Sequence, residues 1–428
     1  MYAVIGAGPM GLATARNLQK YDIDFLGLEL NDEVGGLWDI DNPHSTMYES
    51  AHLISSKAMT EFTEFAMSST VATYPHHSEL KKYFQDFARH FGLYEHYEFK
   101  TRVLSVEPQG DGWQVTTEHE GTQQSRYFEG VLIANGTLHH PNIPQLPGSF
   151  DGEIMHASQY RDPAVFDGKR VLIVGCGNSA CDIAVDAVHR AASADLSVRR
   201  GYYFLPKFIG GKPTDTLGGK IKLPRRVKQW LDAKLIKMVV GKPSDYGLPD
   251  PDYRMYESHP VINSLVLHHI GHGDLTPRSD IQLMQGHSVT FNDGSTADYD
   301  LILLATGYKL HYPFIDRSHL NWSGGDAPEL YLNVFHPEHD NLFVMGMIEA
   351  TGLGWEGRNE QAEMVALYIK GLAQDAESAR QLQQTKKSHA RDKVDGGYGY
   401  LQLERMAYYV HKDSYLKAVR KHVQQLKA

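Results

Sequence analysis

The feature that most constrains this chain is a pattern that it uses twice. A short apolar strand, Val4-Ile5, runs into Gly6-Ala7-Gly8-Pro9-Met10-Gly11, and Leu12, Ala15 and Leu18 then recur at helical spacing. Further on, 175 − 6 = 169 residues later, Val171-Leu172-Ile173-Val174 runs into Gly175-Cys176-Gly177-Asn178-Ser179-Ala180, with a second helical stretch from Ile183 to Ala192. Strand, glycine turn and helix open a βαβ unit that brings a pyrophosphate close to the backbone. The glycines permit the tight turn and the close approach, and the helix N-terminus supplies N–H donors and a positive dipole end. A lone turn of this kind says little. Two in one chain predict an α/β protein with two Rossmann-like dinucleotide-binding units.

The strand after each turn distinguishes the two units. After the first turn, Phe25-Leu26-Gly27-Leu28 ends at Glu29, 29 − 6 = 23 residues beyond Gly6. That is near the ~20 expected of an acid that holds the ribose hydroxyls of NAD or FAD. At the matching strand end the second unit has Arg199-Arg200, and a guanidinium there accommodates a 2′-phosphate. The second site is therefore expected to prefer NADP, with Arg200 discriminating NADPH from NADH and with Lys207 and Lys212 adding to the positive field. Two dinucleotides imply that a nicotinamide passes hydride to a second, resident redox ring.

Composition narrows the rest. With 428 residues the chain exceeds a single small core, and its net charge of −10 argues against a nucleic-acid partner. Cys176 and Cys181 are the only cysteines, too few for a disulfide framework and in keeping with a reducing compartment. The chain opens directly on a strand and has no run of ~18 apolar residues. The expectation is a cytoplasmic protein without a membrane anchor. His76-His77 and His139-His140 are adjacent pairs, and His311, His336 and His339 lack ligand spacing, so no metal site is expected.

Periodicity predicts a helix over Leu80 to Phe91, and a hairpin joining Val103-Val106 to Trp113-Thr117 through Gly110-Asp111-Gly112. Val131-Leu132-Ile133 leads to Ala134-Asn135-Gly136, and Pro141 to Gly148 reads as a linker. Residues 201 to 280 read as loops and short helices. Asn292-Asp293-Gly294 marks a hairpin, Leu301-Ile302-Leu303-Leu304 runs into Ala305-Thr306-Gly307-Tyr308, Leu342 to Met345 is a buried strand, and a helix starts at about Asn359. The charged last fifty residues are expected to be helical, either packed on the body or part of a homodimer interface.

Phe150-x-Gly152-x-x-x-His156-x-x-x-Tyr160-Arg161 matches an identifying motif of the class B flavin-dependent monooxygenases. Gly35-Gly36-Leu37-Trp38, Ser197-x-Arg199-Arg200-Gly201 and Ala305-Thr306-Gly307-Tyr308 match as well, so residues 1 to about 375 resemble that class. Tyr160 stands where the Baeyer–Villiger branch usually has Trp, which makes the resemblance one to the flavin-containing monooxygenases. It implies that Gly6, Ala7, Gly8, Pro9, Met10, Gly11, Glu29, Gly36, Leu37, Trp38, Ile54 and Ser55 hold FAD. It implies that Gly175, Gly177, Asn178, Ser179, Ala180, Arg199 and Arg200 hold NADP, and that Ala305, Thr306, Gly307 and Gln361 complete the cofactor contacts. His156 is expected to set domain geometry rather than to do acid–base work. The implied organisation is an FAD domain built from residues 1–145 and 296–375, an NADP domain inserted at 146–295, and a helical segment over 376–428.

The implied reaction is reduction of FAD by NADPH, addition of molecular oxygen at flavin C4a, and transfer of one oxygen atom to a sulfide or amine of a small molecule. The alternatives are ketone oxygenation and an NAD(P)H oxidase or reductase without productive oxygen transfer. The substrate pocket is expected near Ile54-Ser55 and Ala350 to Arg358. One departure bears on this. Many relatives place an Asn at the position that, anchored on Lys57, is Ile54 here, which leaves Ser55 as the candidate catalytic donor. A disulfide reductase would need a cysteine pair beside the flavin. Cys176 and Cys181 instead lie in and behind the second glycine turn, where they read as buried and inert. A non-catalytic redox sensor is the remaining rival.

Overall fold

Each glycine turn ends the central strand of its own parallel sheet. In the computed structural model, which describes residues 1–217 and 223–428, the first sheet has the order Leu342–Val344, Gly130–Ile133, Tyr2–Ile5, Phe25–Leu28, Tyr97–Glu98. The second runs Glu153–His156, Leu301–Leu304, Arg170–Val174, Ser193–Ser197, Leu275–Arg278. All neighbours in both are parallel. Gly130–Ile133 and Leu301–Leu304 are buried along their whole length, as apolar strands covered on both faces must be. In each sheet the strand order reverses beside the strand that carries the glycine turn. The crevice where dinucleotides bind in open α/β sheets opens at such a reversal, beyond the strands' carboxyl ends.

Two expectations change. Leu301–Leu304, expected in the returning first unit, pairs instead in the second sheet, with Leu301 opposite both Val171 and Glu153. The chain leaves that sheet only at Ala305, after the expected 295/296 boundary. A short, wholly apolar run does not reveal its partner by periodicity. The stretch 201–280, of which 218–222 lie outside the described residues, contains a 16-residue helix, Arg225–Val240, as well as the helix Leu265–His272 and the edge strand Leu275–Arg278.

Elsewhere local pattern and structure coincide. The helix His77–His90 buries Leu80, Tyr83, Phe84, Phe87 and Ala88. The first hairpin extends to an antiparallel meander, Thr101–Gln109, Gly112–His119 and Thr122–Phe128. The second pairs Ser288–Phe291 with Thr296–Asp298. Gly354–Ala373 is a helix, and the tail helices Glu377–Ser388 and Lys412–Lys427 come after it.

The tail packs on the body. Tyr415, Leu416 and Val419 share the core cluster with Met364 and Val365. Lys386, 0% exposed, donates to the carbonyls of His336 (2.6 Å), Pro337 (3.1 Å) and His339 (3.0 Å) and pairs with Asp340 at 2.8 Å. Lys386→Met leaves three carbonyls without their donor and removes the cation beside Asp340, which keeps only the Tyr368 and Gln383 donors. It is expected to cost ~3 kcal/mol of stability, read as a lower urea midpoint.

Candidate cofactor cleft

At the first turn Gly6 has φ +107°, and a Cβ there would lie 2.7 Å from the Ala134 carbonyl oxygen. A Cβ on Gly11 would lie 1.9 Å from the Gly6 carbonyl oxygen. The helix Pro9–Lys20 starts with Pro at its first turn and no side-chain cap, so its leading N–H groups carry no intramolecular cap. Glu29, 5% exposed, accepts from the Ala7 N–H at 2.5 Å and from the Asn31 backbone and side-chain N–H groups at 2.8 Å each. Burial pushes its carboxyl pKa up, and these hydrogen bonds oppose the rise.

The second turn repeats the design. Gly175 has φ +120°, and a Cβ there would meet the Ala305 carbonyl oxygen at 2.5 Å. Each turn is thus seated on the segment where the chain crosses between units. A Cβ on Gly177 would meet nothing within 4 Å. The helix Asn178–Val188 behind it also lacks a side-chain cap. Cys176 and Cys181 are both buried. The hydrogen bond to Cys176, together with burial, holds the Cys181 thiol well above its usual pKa, which suppresses thiolate chemistry.

Both turns open into one cleft of about 1810 Å³, beyond the ~300–1,000 Å³ of a drug-sized site. Its wall includes Gly6, Gly8, Pro9, Met10, Glu29, Gly36, Leu37, Trp38, Ile54 and Ser55 from the first unit. Gly175, Gly177, Asn178, Ser179, Ala180, Arg199 and Arg200 come from the second, and Ala305, Thr306 and Gly307 from the crossing. Three expected residues stand behind the wall. Ala7 and Gly11 are buried in the turn. Gln361, 0% exposed, accepts from the Gly346 N–H at 2.8 Å and donates to the Tyr415 hydroxyl at 2.7 Å. Its amide is used to hold Gly346, a wall residue, from the rear.

Arg200 stands on this wall too, with its Nε and Nη2 bonded to Asp252 at 2.8 and 3.0 Å. Arg199 is exposed on the same wall and has no ion pair among the described residues.

The linker motif ties the units together. His156 is buried. Its Nδ1 accepts from the Ser158 N–H at 3.0 Å, so Nε2 carries the proton and donates to the Gly307 carbonyl at 3.1 Å. Burial lowers its pKa, which favours this neutral tautomer. Tyr160 donates to Asp186 at 2.8 Å. Arg161 donates to Ser158 and Tyr160 carbonyls at 2.8 and 3.0 Å, and to the Ser45 carbonyl in the loop after Trp38.

Ser55 lies 2.7 Å from the Thr60 hydroxyl, which itself donates to the Ser56 carbonyl at 2.9 Å. With that proton committed, Ser55 donates to Thr60 and presents lone pairs, not a proton, to other groups.

Sequence reasoning missed a polar cluster on the same wall. Glu349 accepts from Arg405 at 2.9 Å, and Arg358 donates to the carbonyls of Gly354 and Ile348 at 2.9 Å each. His259 Nδ1 shares a 3.0 Å hydrogen bond with Tyr409, and burial pushes the ring's pKa down to about 3. Among the described residues, His259 Nε2 and His139 Nδ1, both on wall residues, are buried polar atoms without a partner. Arg358, on the helix Gly354–Ala373, closes the expected pocket segment, but Glu349 and Arg405 carry no spacing signal, and Arg405 arrives from beyond residue 375. His269, His272 and Asp274 bring ligand atoms within 4.8 Å of one another, but none of them lines the cleft.

The enclosed volume, the glycine seats and the unpartnered polar atoms all fit two dinucleotides. The family model described as flavin-binding monooxygenase-like matches residues 1–423. The chain is 31% identical over 425 residues to flavin-containing monooxygenase 5 of Rattus norvegicus, covering 92% of this chain and 78% of that one. The structure of S-allyl-L-cysteine S-oxygenase from Allium sativum superposes with a TM-score of 0.68 at 20% identity, over 99% of this chain and 88% of the other. The open crystal structure of cyclohexanone monooxygenase does so with a TM-score of 0.74 at 18% identity, over 100% and 96%. The last two share the fold. With the family pattern running almost end to end and both dinucleotide turns facing one cleft, the chain belongs to the flavin-binding monooxygenase-like family.

Proposed function

We propose that the protein consumes NADPH and molecular oxygen to place one oxygen atom on a sulfide or amine of a small molecule. The carrying observation is that the acid-bearing and arginine-bearing turns open into the same cleft. FAD, when bound, would supply the redox and oxygen-activating chemistry. The chain's own residues do the rest. Glu29 accepts from ribose hydroxyls, the uncapped helix starts receive the two pyrophosphates, and Arg199 meets the 2′-phosphate. His156 and Arg161 hold the linker against both units, and the packed wall excludes water from the reacting centre. The garlic S-oxygenase, named for a sulfide substrate, and the family's monooxygenase description support this reading. The two buried, unpaired thiols support the reducing cytoplasm as its compartment.

The test is product accounting. The FAD-loaded enzyme is supplied with NADPH and, separately, an aryl methyl sulfide, a tertiary amine and a cyclic ketone. Sulfoxide or N-oxide formed in step with NADPH consumption is the expected result. Lactone as the main product would move the assignment to ketone oxygenation. Peroxide equal to NADPH with no oxygenated product would sink it in favour of an oxidase.

Ile54 enters here, because its side chain donates no hydrogen bond where the resemblance places an amide. Ile54→Asn is expected to cut peroxide released per NADPH about threefold, the worth of one ordinary hydrogen bond.

A further inference from the structure

The helix Leu265–His272 closes on a turn that gathers three metal-binding side chains. Gly273, at φ +83°, donates its N–H to the Ile270 carbonyl at 3.0 Å, and Asp274 donates its N–H to the His269 carbonyl at 3.0 Å. This is the Schellman closure of a helix, and the two residues it brings together across the end are commonly apolar. Here they are His269 and Asp274, with the imidazole Nδ1 at 3.2 Å from the carboxylate Oδ2. His272 follows His269 by three positions, which places it on the same face of the last turn. Its Nδ1 lies 3.8 Å from that same oxygen. The three ligand atoms all fall within 4.8 Å of one another.

These separations suit an ion. Imidazole and carboxylate ligands stand about 2.0–2.2 Å from zinc, so two of them are ~3.3 Å apart across a tetrahedral angle. The observed 3.2 and 3.8 Å lie on either side of that value. The longer one is beyond hydrogen-bond range, so no proton joins His272 to Asp274, whereas a metal seated among the three would bind both. Among the described residues Asp274 pairs with no Lys or Arg, only with the two imidazoles. The backbone favours a cation as well. The helix Asn178–Val188 also ends here, where the ring of His189 packs edge-on against that of His269, centroids 5.2 Å apart. Two helix C-termini, each carrying partial negative charge, therefore converge on the cluster. His272 and Asp274 have side chains 69% and 48% exposed, which leaves an open side for water to complete the coordination. Two imidazoles and one carboxylate select zinc and its neighbours over calcium or magnesium, which take sets of oxygen ligands.

We propose that His269, His272 and Asp274 form a surface site for a divalent transition-metal ion of the zinc type. The ion ties the end of the helix Leu265–His272 to the edge strand Leu275–Arg278 that it leads into. None of the three ligands lines the cleft, so the site braces the second unit and takes no part in the reaction.

The test uses the full-length, FAD-loaded protein, free of any histidine tag and stripped with a chelator, titrated with zinc chloride in a calorimeter. One saturable site is expected. His272→Ala and Asp274→Asn should each weaken it at least ~tenfold. His268→Ala, an exposed neighbour outside the cluster, should leave it unchanged. Zinc should raise the Tm of the unaltered protein and of His268→Ala, but not that of the other two variants. All three variants should keep their FAD content and their rate of NADPH oxidation in the presence of the chelator. Three results would overturn the proposal: no saturable zinc binding by the unaltered protein, equal affinity in His272→Ala, Asp274→Asn and the unaltered protein, or the same loss in His268→Ala as in His272→Ala.

Discussion

Gly11→Ala is expected to yield protein that purifies without FAD. The added methyl, fixed directly on Cα, would sit 1.9 Å from the main-chain carbonyl oxygen of Gly6. No rotamer change relieves such an overlap, so the turn itself must open. Gly6 has little room to give, since its own Cβ position faces the Ala134 carbonyl at 2.7 Å and its φ of +107° favours glycine. Opening the turn draws the leading N–H groups of Pro9–Lys20 away from the pyrophosphate. A displacement costing ~3 kcal/mol would weaken FAD about a hundredfold. The ratio of flavin to protein absorbance after gel filtration reads this directly, and a fluorescence titration with added FAD gives its size. Gly177→Ala is the matched control, because a Cβ there meets nothing within 4 Å. It should keep its FAD and its fold. A Gly11→Ala protein that retains full flavin would show that the turn does not carry the pyrophosphate.

The second large effect concerns the choice of nicotinamide nucleotide. Arg199→Glu is expected to raise the KM for NADPH about a hundredfold while changing that for NADH less than about threefold. A charge-assisted contact to phosphate is worth ~1.5–3 kcal/mol, and the glutamate adds repulsion to the loss. Arg200→Ala should discriminate far less, because that guanidinium is spent on Asp252 at 2.8 and 3.0 Å. Steady-state rates with both nucleotides for both variants decide the matter. Equal increases for NADPH and NADH in Arg199→Glu would reject the 2′-phosphate role.

Legible in the sequence was whatever a local backbone constraint imposes. The glycines of both turns, the acid at Glu29 and the helix with Phe84 and Phe87 at its core were visible because each rests on neighbours a few residues away. Pairings at long range were not. Leu301–Leu304 could be named as a strand, but its partner Arg170–Val174 is 130 residues upstream. Arg199 and Arg200 are alike in sequence, and only Asp252, 52 positions away, tells them apart. The Glu349 and Arg405 pair spans 56 positions across two irregular segments. The helix Arg225–Val240 reads as loops and short helices in the sequence although Val227, Trp230, Leu231, Leu235 and Met238 recur at helical spacing, because the Gly-, Pro- and Lys-rich stretches around it obscure the period.

The two glycine seats have a mechanical consequence. Gly6 is pressed against Ala134 and Gly175 against Ala305, so each nucleotide-bearing turn is rigidly indexed to the start of a crossing strand. Relative rotation of the units has to be taken up one or two peptides later. Gly136 at φ +82° and Gly307 at φ +88° stand there, each with nothing within 4 Å of its Cβ position. Any such rotation would be resisted at Gly307, whose carbonyl accepts from His156 at 3.1 Å and from the Asn142 N–H at 2.9 Å, and by the pairing of Tyr308–Lys309 with His140–Pro141 across the two crossings.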